Sequence, residues 1–150
     1  MAATYDGTPY VGGGGLPITG LKSYYTMDTT VNFATFCTNL KSAVDFVQND
    51  VIQIFDIDAL SQVVNSMVII DTASDSADDV DFGYATSSLA CYDSADLSAA
   101  ADTTYLMTVA SGFIVTSVDT LDIKFIGSSA VDDGIVRWQA DIVDRKDRNP

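Results

Sequence analysis

Two runs near the end of the chain constrain its fold most. In Thr120 to Ile126, Leu121, Ile123 and Phe125 fall on one face while Asp122 and Lys124 fall on the other. In Gly134 to Val143, Val136, Trp138, Ala140 and Ile142 oppose Arg137, Gln139 and Asp141. Apolar residues recurring at every second position over this length mean half-buried β-strands. The connection between the runs ends in Asp132-Asp133-Gly134. That sequence suits a reversal, because glycine accepts positive φ and aspartate bonds to nearby backbone. The pair is expected to form an antiparallel hairpin whose apolar face is anchored by Trp138.

The same periodicity recurs upstream. Lys22 to Thr26 and Thr29 to Phe33 are β-rich, with Met27-Asp28 as a turn between them. Phe36, Leu40, Val44 and Val47 fit helical spacing, with Thr38-Asn39 able to cap a short helix, and fit a loop and strand equally well. Val51 to Ile57 and Val63 to Ile70 are near-continuous apolar runs of strand length, expected at the centre of the fold. After the acidic turn Asp71 to Asp79, strict alternation resumes with Val80, Phe82 and Tyr84 inward. Asp93 to Ala100 is a cap residue followed by helix formers and predicts one helical turn. Thr104 to Val109 and Phe113 to Val115 predict strands broken at Ser111-Gly112. With about eight short strands, polar turns and little helix, the chain predicts an all-β, jelly-roll-like antiparallel β-sandwich.

Residues 1–21 are different in kind. Gly12 to Gly15 lie between Pro9 and Pro17, and four glycines cannot hold one conformation unaided, because no side-chain burial offsets their ordering entropy. Tyr5 and Tyr10 nevertheless offer rigid contact area. The segment is expected to be an extended N-terminal arm, either loose or ordered against a neighbouring subunit. No GKS or GKT follows the glycines, so a phosphate-binding loop is disfavoured. The expected organisation is arm 1–21, sandwich 22–145 and basic tail 146–150.

Composition narrows the chemistry. All 21 acidic residues are aspartate and only 7 residues are basic, for a net charge of −14. Aspartate favours turns and caps, in keeping with a loop-rich strand protein. Nucleic acid is an unsuitable partner, since phosphate binding needs a Lys/Arg surface. The chain has no histidine, which removes Ser-His-Asp and Cys-His nucleophilic sites and histidine-based zinc sites. Cys37 and Cys91 form no CxxC and read as two small buried thiols, though they are able to pair in space. Met1 to Asp6 lacks a charged n-region and an apolar h-region, so no secretory signal is expected. No apolar run approaches the roughly 18 residues of a membrane helix, and no membrane partner is expected.

What remains is thin as chemistry. Asp56 with Asp58, or Asp132 with Asp133, are formal candidates for an acid pair of the glycosidase kind, but so many aspartates produce such pairs by chance. Tyr24, Tyr25, Tyr84, Tyr92, Tyr105 and Trp138 are candidates for a glycan platform, or more simply for core packing. The turn Asp71 to Asp81 offers oxygen ligands for Ca²⁺ but lacks the glycine and terminal glutamate of an EF-hand loop, and reads as a solvated turn. No cofactor or metal is expected. Arg145, Lys146 and Arg148 crowd three of the basic residues at one end, either as a solvated terminus or as a clamp for an acidic partner surface.

The order of blocks resembles the capsid cement (decoration) proteins of tailed bacteriophages. The resemblance covers about residues 29 to 145. It is carried by Val31-Asn32-Phe33, by Asn49 to Ile54, and by the acidic turn leading into Val80-Asp81-Phe82-Gly83. Asp119 to Ile123 and Gly134 to Asp144 complete it. It implies a non-enzymatic module, made in the host cytoplasm, that sits on the outer surface of the virion head and locks major capsid protein subunits together. A cement protein of this kind binds the major capsid protein and itself, as a homo-trimer or homo-dimer. From the residues, the expected interface comprises Tyr5, Tyr10 and Leu16 of the arm with Arg145, Lys146 and Arg148 of the tail. The alternative is a head-fibre or tail adhesion module that binds host-surface glycan, which requires an exposed aromatic cluster.

Overall fold

The computed structural model describes residues 4–6, 25–85, 87–107 and 114–144. In chain order the elements are β1 (Thr4–Asp6), β2 (Tyr25–Asn32), α1 (Phe33–Leu40), β3 (Val51–Ile57), β4 (Ser61–Thr72), β5 (Asp79–Tyr84), β6 (Ser87–Asp96), β7 (Thr104–Leu106), β8 (Asp119–Phe125) and β9 (Ile135–Asp144). They form two sheets, ordered β1-β3-β8-β5-β6 and β2-β9-β4-β7.

This order has a simple origin. β2 pairs with β9, β3 with β8, β4 with β7 and β5 with β6, every pair antiparallel. The chain is thus one long ribbon folded back on itself at the β5–β6 turn, and successive ribbon pairs fall alternately in the two sheets. The sheets are then completed by β4 against β9 and β5 against β8. A ribbon rolled in this way is a jelly roll, the double Greek key that buries one face of each sheet. β1 is an addition, lying parallel to β3 on the outer edge of the first sheet.

The apolar faces read from the sequence are the faces that meet in the core. Leu121, Ile123 and Phe125 on β8 are buried, as are Val136, Trp138, Ala140 and Ile142 on β9. Trp138 bridges the layers: its ring meets the edge of Phe82 on the opposite sheet at 5.0 Å, and its Nε1–H donates to Ser66 Oγ at 2.8 Å. The Tyr84 hydroxyl likewise accepts from Val63 N–H across the sandwich at 2.7 Å. At one end α1 closes the core with Phe33 and Phe36. Its N-cap is Asn32, whose side chain accepts from Thr35 N–H at 3.1 Å.

Several expectations are corrected. β8 and β9 do not form a hairpin, since they lie in opposite sheets; residues 126–134 cross the thickness of the sandwich instead of reversing within one layer. Met27-Asp28 is no turn: Met27 is buried mid-strand, and β2 runs unbroken opposite β9. The helix occupies Phe33–Leu40, earlier than the Phe36 to Val47 window and capped by Asn32 rather than by Thr38-Asn39. Residues 93–96, given to a helical turn, continue β6, because pairing of Val80 with Ala95 and Asp79 with Asp96 outweighs local propensity. Ile114 and Val115 are not in a strand, and residues 108–113 lie outside the described residues. Cys37 and Cys91 are free and buried, and burial raises both thiols, Cys91 to about 12.

Candidate interaction surfaces

Tyr5 is the one described residue of the expected interface set. Strand β1 places its ring on Phe46, edge-on at 5.7 Å, and under the ammonium of Lys41, which lies 5.4 Å from the ring centroid. Phe46 in turn stacks on Phe125 at 4.8 Å, and Phe125 meets Phe33 edge-on at 5.7 Å. Tyr5 is therefore the outer member of an aromatic row that runs into the core. Lys41 also pairs with Asp50 at 2.5 Å and donates to the Asp45 carbonyl, with Lys41 and Asp50 side chains only 7% and 1% exposed. Asp50 takes a further bond from Val47 N–H at 3.1 Å. Residues 4–6 are latched onto the rest of the chain by apolar, cation–π and strand-edge contacts. Tyr10, Leu16, Arg145, Lys146 and Arg148 lie outside the described residues.

The acid pairs do not assemble a catalytic cleft. Asp56 and Asp58 are exposed. Asp133 is spent on structure, accepting from Ser74 Oγ at 2.7 Å and Asp75 N–H at 3.1 Å. The turn that was weighed for Ca²⁺ is tied to residues 126–134 by these bonds and by Ser76 Oγ to the Ala130 carbonyl at 2.6 Å. Among the described residues no three acidic or thiol side chains converge as a metal site would require.

The buried carboxylates are ones the periodicity did not single out. Asp122 projects from the outer face of β8, yet is 3% exposed and its Oδ1 has no hydrogen-bond partner. Burial pushes its pKa up to about 7; the Thr120 hydroxyl opposes the rise and Asp119 adds to it. Asp78 is also buried and raised by desolvation, against the lowering effect of the Ser129 and Asp79 N–H groups. Its carboxylate lies where a side chain on Gly127 would have to be: a Cβ there would come within 1.6 Å of Asp78 Oδ1. In the sequence Asp122 sits at a polar position of an alternating strand, so nothing there distinguishes it from a solvated residue.

The aromatic residues give no platform among those described. Trp138 and Tyr84 are fully buried. Tyr92 and Tyr105 pack on each other at 4.9 Å, half-buried, with the Tyr105 hydroxyl donating to the Asp96 carbonyl at 3.0 Å. The outer face of the second sheet holds a shallow depression lined by Thr26, Asn65, Met67, Leu106, Gln139 and Asp141. Its polar groups are already engaged: Asp141 accepts from Thr26 Oγ1 at 2.8 Å and from Asn65 Nδ2 at 3.2 Å, and Gln139 donates to Asp28 at 3.1 Å.

No family model matches the chain, and no curated protein matches its sequence. Solved structures do match its fold. A chain of the cyanophage Pam1 capsid asymmetric unit superposes with a TM-score of 0.62 at 15% identity, covering 85% of this chain and 90% of that one. A chain from the acidic stable capsid of Helicobacter pylori bacteriophage KHP30 gives 0.55 at 10% identity, covering 81% and 88%. A chain from the capsid of Ralstonia phage GP4 gives 0.54 at 9% identity, covering 85% and 88%. The jelly roll described here is thus a fold shared with phage capsid chains over nearly the whole length of each.

Proposed function

We propose that the protein is a structural component of a phage virion, and within that class a cement or decoration protein on the outer surface of the capsid. The observation that carries the reading is the near full-length fold similarity to capsid chains of three different phages. The chemistry is in keeping with it. Of the carboxylates that sequence reasoning nominated, Asp56 and Asp58 are exposed and Asp133 is spent on loop bonds, and among the described residues Trp138 and Tyr84 serve the core. A cement protein needs a rigid sandwich, a specific contact of about 1,200–2,000 Å² and repeated copies for avidity; it needs no pKa-tuned acid or base.

In this reading the protein binds the major capsid protein and associates with itself as a homo-trimer or homo-dimer. Tyr5 latches the start of the arm to the sheet edge, while Tyr10 and Leu16 of the arm and Arg145, Lys146 and Arg148 of the tail contact neighbouring subunits. Residues 1–21, 22–145 and 146–150 then act as arm, body and tail. Quantitative mass spectrometry of purified virions tests the assignment. Copies comparable in number to the shell lattice sites are expected; absence from purified particles would remove the virion role.

A further inference from the structure

Strand β1 is held in a seat of its own and is joined to β2 by far more chain than the path between them requires. β1 and β2 are the outer strands on the same side of the sandwich, since β6 and β7 meet at the other side through Tyr92 and Tyr105. β1 ends with Asp6 opposite Gln53. β2 begins with Tyr25 opposite Ile142, which also pairs with Val63. Val63 N–H reaches the Tyr84 hydroxyl across the sandwich, and Tyr84 and Phe55 flank Leu121, so β2 begins level with Phe55. With sheets about 10 Å and strands about 4.8 Å apart, the two ends lie on the order of 15 Å from each other. About five residues would close that gap, whereas residues 7–24 span about 60 Å when extended. The excess adds to the entropy cost of closure and gives nothing to a chain that seats its own β1.

The seat fixes what can occupy it. It is the outer edge of β3 together with Phe46 and the buried Lys41–Asp50 pair, and it takes a short parallel strand that carries a tyrosine ring. A second copy offers that same strand, and seating it makes the same contacts, so exchange loses none of them. Charge favours the arm as the joining element. Copies with a net charge of −14 repel one another, yet of the 21 acidic residues only Asp6 falls within residues 1–21. A nearly uncharged tether of this reach joins two bodies while their acidic surfaces stay beyond the screening length of about 8 Å.

We propose that β1 is exchanged between copies: residues 4–6 of one chain seat on the β3 edge of a second copy, with Tyr5 on that copy's Phe46 and Lys41, and the exchange closes the homo-oligomer. The proposal rests on the self-association in the reading above and names its contact. The test is a cysteine pair, Thr4→Cys/Val51→Cys, at positions that face each other in the β1–β3 register of a chain whose own two cysteines are buried. Full-length protein is oxidised at a concentration where it is oligomeric, denatured without reductant, and its mass is read. Exchange predicts covalent multimers at least fivefold above those of either single variant. At the same concentration Tyr5→Ala should fall to the mass of one chain with its tryptophan emission unchanged, because the ring that holds the strand on its neighbour is gone. Oligomers whose disulfides are all internal to one chain, or a Tyr5→Ala protein that stays oligomeric, overturn the exchange and leave self-association intact. A wild type that is monomeric at every concentration overturns both without touching the virion role.

Discussion

Lys41 Nζ and Asp50 Oδ2 form an ion pair 2.5 Å apart with both side chains buried, and the same ammonium lies 5.1 Å from the Phe46 ring centroid and 5.4 Å from that of Tyr5. The pair therefore joins the loop after α1 to the start of β3 and supplies the surface on which β1 rests. A buried charge deprived of its partner is expensive, whereas removing both is much less so. Lys41→Met is expected to cost about 3–5 kcal/mol by removing the counter-charge of the buried Asp50 carboxylate. Lys41→Met/Asp50→Leu should recover most of that loss. Urea unfolding of the two variants checks it, and a double variant as unstable as the single one contradicts it.

Trp138 is the single tryptophan of the chain and lies at the contact between the sheets. Folded protein should emit at short wavelength and resist quenching by acrylamide. Trp138→Ala is expected to cost about 3–5 kcal/mol through the cavity it leaves. Trp138→Phe, which keeps an aromatic ring but removes the N–H that Ser66 Oγ accepts, should cost about 1–2 kcal/mol. Thermal or urea melts monitored by circular dichroism separate the two.

Asp122 gives the fold a defined pH response. Its folded pKa of about 7 is above the unfolded value, so the folded state keeps a proton that the unfolded state has lost. The penalty for its charge is absent below about pH 4, grows as pH rises, and is complete above about pH 7. Asp122→Asn should match the wild type at pH 4 and exceed it at pH 8, by on the order of 3 kcal/mol. Parallel stability curves for the two proteins across that range would show that the carboxylate is not held in this environment.

Gly127 is required by its neighbour rather than by its own backbone. Gly127→Ala drives a methyl into the Asp78 carboxylate and is expected to destabilise by about 2–3 kcal/mol. Adding Asp78→Ala should relieve part of this, because the clashing group and its desolvation are removed together. Equal melting temperatures for the single and double variants would contradict the contact.

The sequence made the strands and their inward faces legible, and left their partners hidden. Period two fixes which side of β8 and β9 is buried, because Leu121, Ile123, Trp138 and Ile142 each face the core whichever strand lies alongside. It carries no information on whether consecutive strands pair or cross the sandwich, and in a rolled ribbon they cross. That is why an expected hairpin became two strands of different sheets. β6 was missed because its residues Asp93 to Asp96 have cap-like composition, and only pairing with β5 holds them extended. Asp122 falls on the polar face of an alternating run, and polarity alone does not reveal what covers a side chain.

The central claim is that this jelly roll belongs to a capsid surface. Cryo-EM reconstruction of the virions that encode the chain tests it most directly. The account predicts many symmetry-related copies of the sandwich on the outside of the head. Particles whose shell carries no density for this fold would contradict it.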